Sequence, residues 1–228
     1  EIGEVKENIC RFTKPERNNV EKRMDTVRPF KKSELLTLTK SIIRLTKKMP
    51  SVKMASLALL LIAYTGRRKE EILTLKWSQI KMSNTEMHFS AAQTKNNKAF
   101  IAELLPAATA VLKRLEKGRK PSSNLKDQYL FPATTKSKLP YLKNPIKTWK
   151  LAIGMAKKKN PEIEYKCIHM LRHTFACLLL EATKDIKLVA QIMNWKSLKV
   201  AEVYADYLDR DPQKQGIKKL HNLLNTAA

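Results

Sequence analysis

Two short segments of the sequence carry side chains whose types and spacing could do chemistry on a phosphate. In the first, Arg68 precedes Glu71 by three residues, so one helical turn brings both side chains to one face, where the carboxylate can orient the guanidinium. In the second, His169, Arg172 and His173 also share a helix face. Arginine binds two non-bridging phosphate oxygens at once, and histidine donates a hydrogen bond or a proton. Such groups suit the extra negative charge of a pentacoordinate phosphorus transition state.

Each segment also has another interpretation. An arginine and a glutamate at this spacing can form a purely structural ion pair, and either histidine, His173 above all, could be structural. His169 and His173 have the spacing of the HExxH zinc motif, which makes a zinc hydrolase an alternative. Met170 stands where that motif has its glutamate base, and the sequence offers no obvious third ligand. We therefore predict no metal ion.

The charge balance predicts a polyanionic partner. The 228 residues include 45 Lys and Arg against 21 Asp and Glu, a formal net charge of +24. This excess must face solvent, where it attracts DNA, RNA or anionic membranes. The longest apolar run, residues 57–63, is far shorter than the roughly 20 residues that span a bilayer. With no signal peptide and three scattered cysteines, we expect a cytoplasmic protein with reduced thiols.

The elements that must position these side chains are predicted to be mainly helices with one small antiparallel β-sheet, an α+β fold. Ser33 is a candidate N-cap for the first helix. Its apolar residues recur at helical spacing, namely Leu35, Leu38, Ile42 and Leu45. Residues 52–65 are apolar on nearly every face, which predicts a helix buried in the core that ends at Gly66.

A β-hairpin and a third strand are predicted after a short helix over residues 69–75. Apolar residues surround the turn at 83–85, and residues 98–105 form a strand that ends before Pro106. From residue 107 onward the pattern predicts helices almost throughout. Two segments interrupt them, residues 117–126 and residues 139–144.

In chain order, the two chemical segments and the residues after them resemble the boxes of the tyrosine recombinase family, also called phage integrases. The first box is similar to residues 65–73 (TGRRKEEIL) and the second to residues 169–175 (HMLRHTF). Residues 189–195 (VAQIMNW) resemble a third stretch, and Tyr204 comes after it at the family's offset. The likeness covers roughly residues 26–208, and it implies the fold of a tyrosine recombinase (DNA breaking-rejoining enzyme) catalytic domain.

The resemblance implies a role for each matching residue. Arg68 and Arg172 would clamp the scissile phosphate, with His169 beside it. Glu71 would support Arg68. The family also places a lysine on a strand turn, where it protonates the departing 5′ oxygen, and Lys95 is the best match.

Two positions leave alternatives or depart from the family's pattern. Lys98, on the same turn, is the alternative to Lys95. Trp195 stands where many members have histidine; its indole N–H can position the phosphate but cannot shuttle a proton, and core packing is the other explanation. Proton transfer would then fall on His169 and Lys95. Asn194 replaces the usual glycine before Trp195, which would alter the local turn.

Tyr204 is the nucleophile that the resemblance implies, with His173 in support, and Tyr207 is the nearby alternative. Attack on a DNA phosphodiester would give a 3′-phosphotyrosyl enzyme and a free 5′-hydroxyl, and a partner strand's hydroxyl would then rejoin the DNA. The covalent link keeps the bond energy, and the sequence has no GxxxxGK[ST] phosphate loop, so we expect no ATP and no cofactor. Type IB topoisomerases share this chemistry, so these residues do not separate strand exchange from supercoil relaxation.

The predicted organisation has three parts. Residues 1–25 are polar and are interpreted as the remnant of an interdomain linker, residues 26–212 as the catalytic domain, and residues 213–228 as a C-terminal tail helix that could be exchanged between protomers. The family implies a homotetramer on double-stranded DNA, a free monomer, and room for accessory DNA-bending proteins. The implied function is integration or excision of a mobile element or prophage in bacterial or phage-host cytoplasm. A non-catalytic DNA-binding module is the alternative from another class.

Overall fold

The computed structural model describes residues 28–119, 128–133 and 137–198, together with residues 200 and 204. The predicted linker at 1–25, the tail at 213–228 and Tyr207 lie outside the described residues. The described helices are α1 (Lys32–Lys48), α2 (Lys53–Thr65), α3 (Lys69–Leu73), α4 (Pro106–Glu116), α5 (Ile146–Lys157), α6 (Met170–Thr183) and α7 (Ile186–Ile192). The strands β1 (Ile80–Lys81), β2 (Glu86–Phe89) and β3 (Phe100–Glu103) form one antiparallel sheet, which confirms the predicted α+β fold. None of the described helices is long and apolar enough to span a bilayer.

Helix α2 lies at the centre of the fold, because it is buried on nearly every face as its composition predicts. Helices α1, α4 and α6 pack against it. It ends at Gly66, whose φ of 62° lies in the left-handed region that glycine adopts without strain. A Cβ at Gly66 would lie 2.5 Å from Cδ1 of Phe175 on α6. Glycine is therefore needed both for the turn and for the close approach of α6.

The start of α1 differs from the prediction. Lys32 is the first helical residue, so Ser33 lies inside the first turn and does not cap it. The N–H group of Lys31 donates instead to Oε2 of Glu34 at 2.7 Å. A carboxylate at the third helical position can accept from the capping residue, and it also suits the positive end of the helix dipole.

The sheet confirms the predicted hairpin, with Ile80 paired to Met87 across the turn. Strand β3 is shorter than predicted because the chain folds back before it. The Thr94 hydroxyl donates to the carbonyl of Lys98 at 2.7 Å and accepts from the N–H of Lys98 at 3.2 Å, which closes a loop between β2 and β3. Pro106 begins α4, where its missing N–H costs nothing.

Part of the segment between α4 and α5 contradicts the prediction of helices almost throughout, whereas the predicted interruption at residues 139–144 is confirmed. Residues 128–133 and 137–145 form no α-helix, and two isolated antiparallel bridges, Lys76 with Tyr129 and Pro132 with Tyr141, hold them. Phe131 is fully buried there. Over such short runs, the spacing of apolar residues does not distinguish a helix from a buried β-bridge, so it could not predict the structure of this segment.

The described side chains bury two apolar groups of unequal size. The larger core surrounds α2 and includes Trp149, whose indole N–H donates to the carbonyl of Lys166 at 2.7 Å. The smaller group, called the small cluster below, lies between α6 and α7. It consists of Ala176, Cys177, Leu180, Val189, Met193 and Tyr204. Helix α6 runs from one group into the other.

Candidate active site

The first predicted pair forms where the chain leaves α2 and enters α3. Arg68 precedes the first helical residue, and its Nη1 lies 2.8 Å from Oε1 of Glu71. The other carboxylate oxygen of Glu71 accepts the backbone N–H of Arg68 at 3.0 Å. Glu71 is buried and Arg68 is partly exposed, so the carboxylate fixes a guanidinium that solvent can still reach.

The second predicted group lies at the start of α6. Arg172 is only 3% exposed, and it donates from Nη1 to the Gly66 carbonyl and from Nη2 to the Met193 carbonyl, both at 2.8 Å. The rings of His169 and His173 meet edge to face, with centroids 4.9 Å apart. Because a guanidinium has five N–H donors, further donors remain on Arg172 after both carbonyls are satisfied.

Tyr204 joins this group from the small cluster. Its hydroxyl is hydrogen-bonded to Nδ1 of His173, and its ring stacks on Trp195 with centroids 5.0 Å apart and 12° between the planes. Tyr204 is 3% exposed. The guanidinium carbon of Arg172 lies 6.0 Å from the centre of the Trp195 ring. The structure therefore brings the predicted nucleophile to His173 rather than to His169.

Lys95 and Arg68 line an open cleft of about 650 Å³, together with His169. Lys95 lies in the loop between β2 and β3, and its side chain is exposed. Lys98 is exposed as well, but it closes the base of that loop through its backbone and does not line the cleft. Of the two lysines that the sequence leaves open, the geometry favours Lys95.

The site thus has two halves. We call Arg68, Glu71, Lys95 and His169 the open half, because all four line the cleft, where Glu71 also supports Arg68. We call Arg172, His173, Trp195 and Tyr204 the buried half, because Arg172 and Tyr204 are buried and the partly exposed His173 and Trp195 contact Tyr204. The edge-to-face contact of His169 with His173 links the two halves.

One residue of the site is missed by the sequence prediction. Arg67 is 3% exposed, and its Nη2 donates to the carbonyl of Ile192, at the end of α7. Its guanidinium carbon also lies 4.8 Å from the centre of the Phe100 ring. The sequence signal is a charged residue placed directly after a helix that is apolar on nearly every face. In a run of three basic residues, nothing distinguishes the buried arginine from its two partly exposed neighbours.

Burial sets the protonation states of the site. It lowers the pKa of His173 to about 4, with His169 and Arg172 adding to the effect. Burial, followed by the charges of Arg172, Arg68 and Lys95, also lowers the pKa of His169. Both imidazoles are therefore neutral at pH 7.

The two buried arginines, unlike the two histidines, stay charged at pH 7. Burial lowers the pKa of Arg172 to about 9 and the pKa of Arg67 to about 10. Both values leave the guanidinium charged at pH 7. The site thus combines fixed positive charge with neutral imidazoles, a combination that favours a bound phosphodiester over a cation. Among the described residues, no group of three or more His, Cys, Asp or Glu side chains could hold a metal ion.

Comparison with known proteins identifies the class. The model of the Phage integrase family matches residues 30–210, so the chain belongs to that family. Among curated proteins, it is similar to the integrase of Salmonella phage P22, with 31% identity over 146 residues. Those residues make up 62% of this chain and 36% of the phage protein.

Two solved structures show the same fold. One is the XerH site-specific recombinase bound to its difH substrate in a pre-cleavage complex, with a TM-score of 0.62, 24% identity, and coverage of 78% of this chain and 49% of that one. The other is the catalytic domain of bacteriophage HP1 integrase, with a TM-score of 0.57, 18% identity, and coverage of 84% and 94% respectively. The fold is that of a tyrosine recombinase catalytic domain. The chain spans about half or less of the P22 and XerH proteins.

Proposed function

We propose that this chain is the catalytic domain of a site-specific DNA recombinase in which Tyr204 attacks the scissile phosphate. The observation that carries the proposal is the hydrogen bond between the Tyr204 hydroxyl and Nδ1 of His173, next to Arg172. A phenol beside a neutral imidazole and a buried cation can lose its proton as it attacks phosphorus. Membership of the Phage integrase family supports the same reaction.

The step balances without any outside reagent. The Tyr204 oxygen forms a bond to phosphorus, and the bond from phosphorus to the 5′ oxygen breaks. The phenol proton passes to Nδ1 of His173, which is hydrogen-bonded to the hydroxyl, and Lys95 supplies a proton to the departing 5′ oxygen. The reverse step, with the 5′-hydroxyl of a partner strand, rejoins the DNA and releases the tyrosine. No ATP or other cofactor is required.

The two arginines stabilise the transition state in this proposal. Arg68 presents its free donors to the non-bridging oxygens from the cleft, where Glu71 holds it at 2.8 Å. Arg172 acts from the buried side, where low dielectric makes its charge more effective. His169, between them, donates a hydrogen bond to the phosphate. The negative phosphate would raise the pKa of both histidines back toward the ordinary range.

Trp195 and His173 position the nucleophile. The indole stacks on the Tyr204 ring, and Nδ1 of His173 holds its hydroxyl. Because Tyr204 is only 3% exposed, the phenol must move toward the cleft before it can reach a phosphate in the DNA. In this proposal, DNA binding moves the Tyr204 phenol toward His169 and the cleft.

The proposed partner is double-stranded DNA, as the net charge of +24 favours. Strand exchange requires two DNA sites, so we propose a homotetramer on DNA that is a monomer when free, with accessory DNA-bending proteins as compatible partners. Residues 26–212 are then the catalytic domain, residues 1–25 a linker, and residues 213–228 a tail that protomers exchange. We further propose that the protein integrates or excises a mobile element or prophage in the cytoplasm.

A nicked suicide substrate tests the proposal. The 228-residue chain would be incubated in chelator with duplexes or supercoiled plasmid carrying candidate attachment sequences, and a denaturant-resistant protein–DNA adduct would be sought. We expect an adduct with the parent and with Tyr207→Phe, and none with Tyr204→Phe. Adduct loss only in Tyr207→Phe would move the nucleophile by three residues. No adduct on DNA that the protein binds would favour the non-catalytic DNA-binding module, and DNA cleavage that chelator abolishes would favour the zinc hydrolase.

A further inference from the structure

The turn that carries Trp195 is held in an unusual way. Three consecutive backbone carbonyls, at residues 192, 193 and 194, each accept a hydrogen bond from a side chain in a different part of the chain. The donors are Arg67, Arg172 and Asn96. The turn is therefore held from three sides, and the two buried arginines hold it independently of Asn96.

Asn96 differs from the two arginines. It is half-buried and uncharged, and its Nδ2 donates to the Asn194 carbonyl at 2.8 Å. The same nitrogen lies 3.4 Å from Oδ1 of Asn194. Asn194 has a φ of 49°, in the left-handed region that asparagine tolerates better than most residues. The Asn96 bond joins residues 98 apart in the sequence, so it ties two otherwise separate segments together.

The segment that Asn96 ties down also carries Lys95. The loop between β2 and β3 is braced at its base by Thr94 and Lys98, at 2.7 Å and 3.2 Å. On the near side of that base, Gln93 donates to the Thr74 carbonyl at 3.3 Å and accepts from Gln79. Among residues 94–98, the hydrogen bonds to other described segments are made by Asn96 alone. The side chain of Lys95 lines the cleft with His169. Without the Asn96 bond, the loop tip would be free to move relative to the cleft.

We propose that Asn96 is a positioning residue that anchors the Lys95 loop to the Trp195 turn and so holds the proton donor in the cleft. This inference rests on the proposed function, in which Lys95 protonates the departing 5′ oxygen. Asn96 itself touches no reacting atom. Its contribution is to hold the lysine where proton transfer requires it, since misplacement of a catalytic group by about 1 Å can cost roughly 100-fold in rate.

The test compares Asn96→Leu, which has similar volume but no donor, with Asn97→Gly. Asn97 lies in the same loop, is exposed, makes no side-chain hydrogen bond to any other described residue, and has a φ of 52° that glycine adopts. On the DNA site found in the adduct assay, we expect single-turnover cleavage to fall about tenfold in Asn96→Leu, a part of the roughly 100-fold that a general acid supplies. Asn97→Gly should stay within about twofold, as expected for a surface substitution.

Two readouts separate positioning from a merely structural role. A substrate with sulfur in place of the bridging 5′ oxygen leaves as a thiolate and needs no general acid, so it should cleave equally well with the parent and with Asn96→Leu. In a Lys95→Ala background, Asn96→Leu should slow cleavage of the ordinary substrate by less than about twofold, because coupled residues are non-additive. A defect that persists with the sulfur substrate, or that multiplies with Lys95→Ala, would overturn the inference. If the parent itself forms no adduct, the proposed function fails first, and the inference falls with it.

Discussion

The open and buried halves of the site are built by different kinds of contact. In the open half, Arg68 is held by Glu71, three residues away, through an ion pair within one helical turn. In the buried half, Arg172 is held by the Gly66 and Met193 carbonyls, 106 and 21 residues away, and Tyr204 by His173, 31 residues away. Local spacing builds the half that would contact the phosphate in the proposed mechanism, whereas long-range contacts build the half behind it.

The difference has an energetic consequence. A charge in the buried half is screened little by solvent, and its loss leaves carbonyls without donors, so we expect both stability and chemistry to suffer there. In the open half, water can reach the groups that a substitution leaves without a partner, so the loss of a charge costs less stability. Substitutions matched between the two halves, and between the two apolar groups behind them, test this contrast.

The largest effect is expected for Arg172→Gln, compared with Arg68→Gln. Removing the buried guanidinium should slow adduct formation about 1,000-fold, in the range found when preorganised transition-state donors are lost. It should also destabilise the protein by about 2–4 kcal/mol because two buried carbonyls lose a charged donor. Arg68→Gln should slow adduct formation by about 100-fold. It should destabilise the protein by less, about 1–2 kcal/mol, because the glutamine amide can still donate to the buried Glu71 carboxylate. Urea unfolding and single-turnover assays measure both. Equal stability losses in the two variants would contradict the contrast.

The second prediction compares two fully buried leucines, Leu180 in the small cluster and Leu38 in the larger core. Either change to alanine should cost about 2–5 kcal/mol of unfolding free energy. Only Leu180→Ala should also slow cleavage per folded molecule, by about tenfold, because that cluster carries Tyr204 and a small displacement of a reacting group is costly. The measurement is activity normalised to the folded fraction. An equal loss in Leu38→Ala would show that the small cluster has no special part in placing Tyr204.

The smallest effect concerns pH. The unfolded chain binds a proton at His173 near the ordinary pKa of 6.5, whereas burial lowers the pKa in the folded protein to about 4. Stability from neutral His173 is therefore complete above pH 6.5 and is lost as the pH falls from 6.5 toward 4. His173→Gln should flatten this fall by about 1–2 kcal/mol, after allowance for partial exposure. Urea unfolding across this pH range measures the fall. Parent and variant both contain His169, so the difference between their curves of stability against pH reports His173 alone. Parallel curves would contradict the assignment of the fall to His173.

The sequence predicts the parts of this protein that depend on local pattern. The buried character of α2, the hairpin that pairs Ile80 with Met87, and the Arg68–Glu71 pair all agree with periodicity or helical spacing. The predicted cap of α1 is wrong because the helix begins at Lys32, before Ser33, and the Glu34 carboxylate accepts the N–H of the capping residue Lys31.

Long-range contacts could not be predicted in the same way. The bond from Asn96 to Asn194 spans 98 residues, and Arg67 reaches Ile192 across 125. Contacts between residues so far apart in the sequence produce no periodic pattern from which they could be predicted. The bridges of Tyr129 and Tyr141 are missed for the same reason, since their partners are isolated residues rather than repeating patterns.

The central claim, that Tyr204 is the nucleophile, is best tested by identifying the residue that becomes linked to DNA. Adduct formed on a suicide substrate in chelator would be digested with protease and nuclease, and the modified peptide sequenced by mass spectrometry. The proposed mechanism predicts a nucleotide joined through its 3′-phosphate to Tyr204. A phosphate on Tyr207 or on any other side chain, or a linkage through a 5′-phosphate, would contradict it.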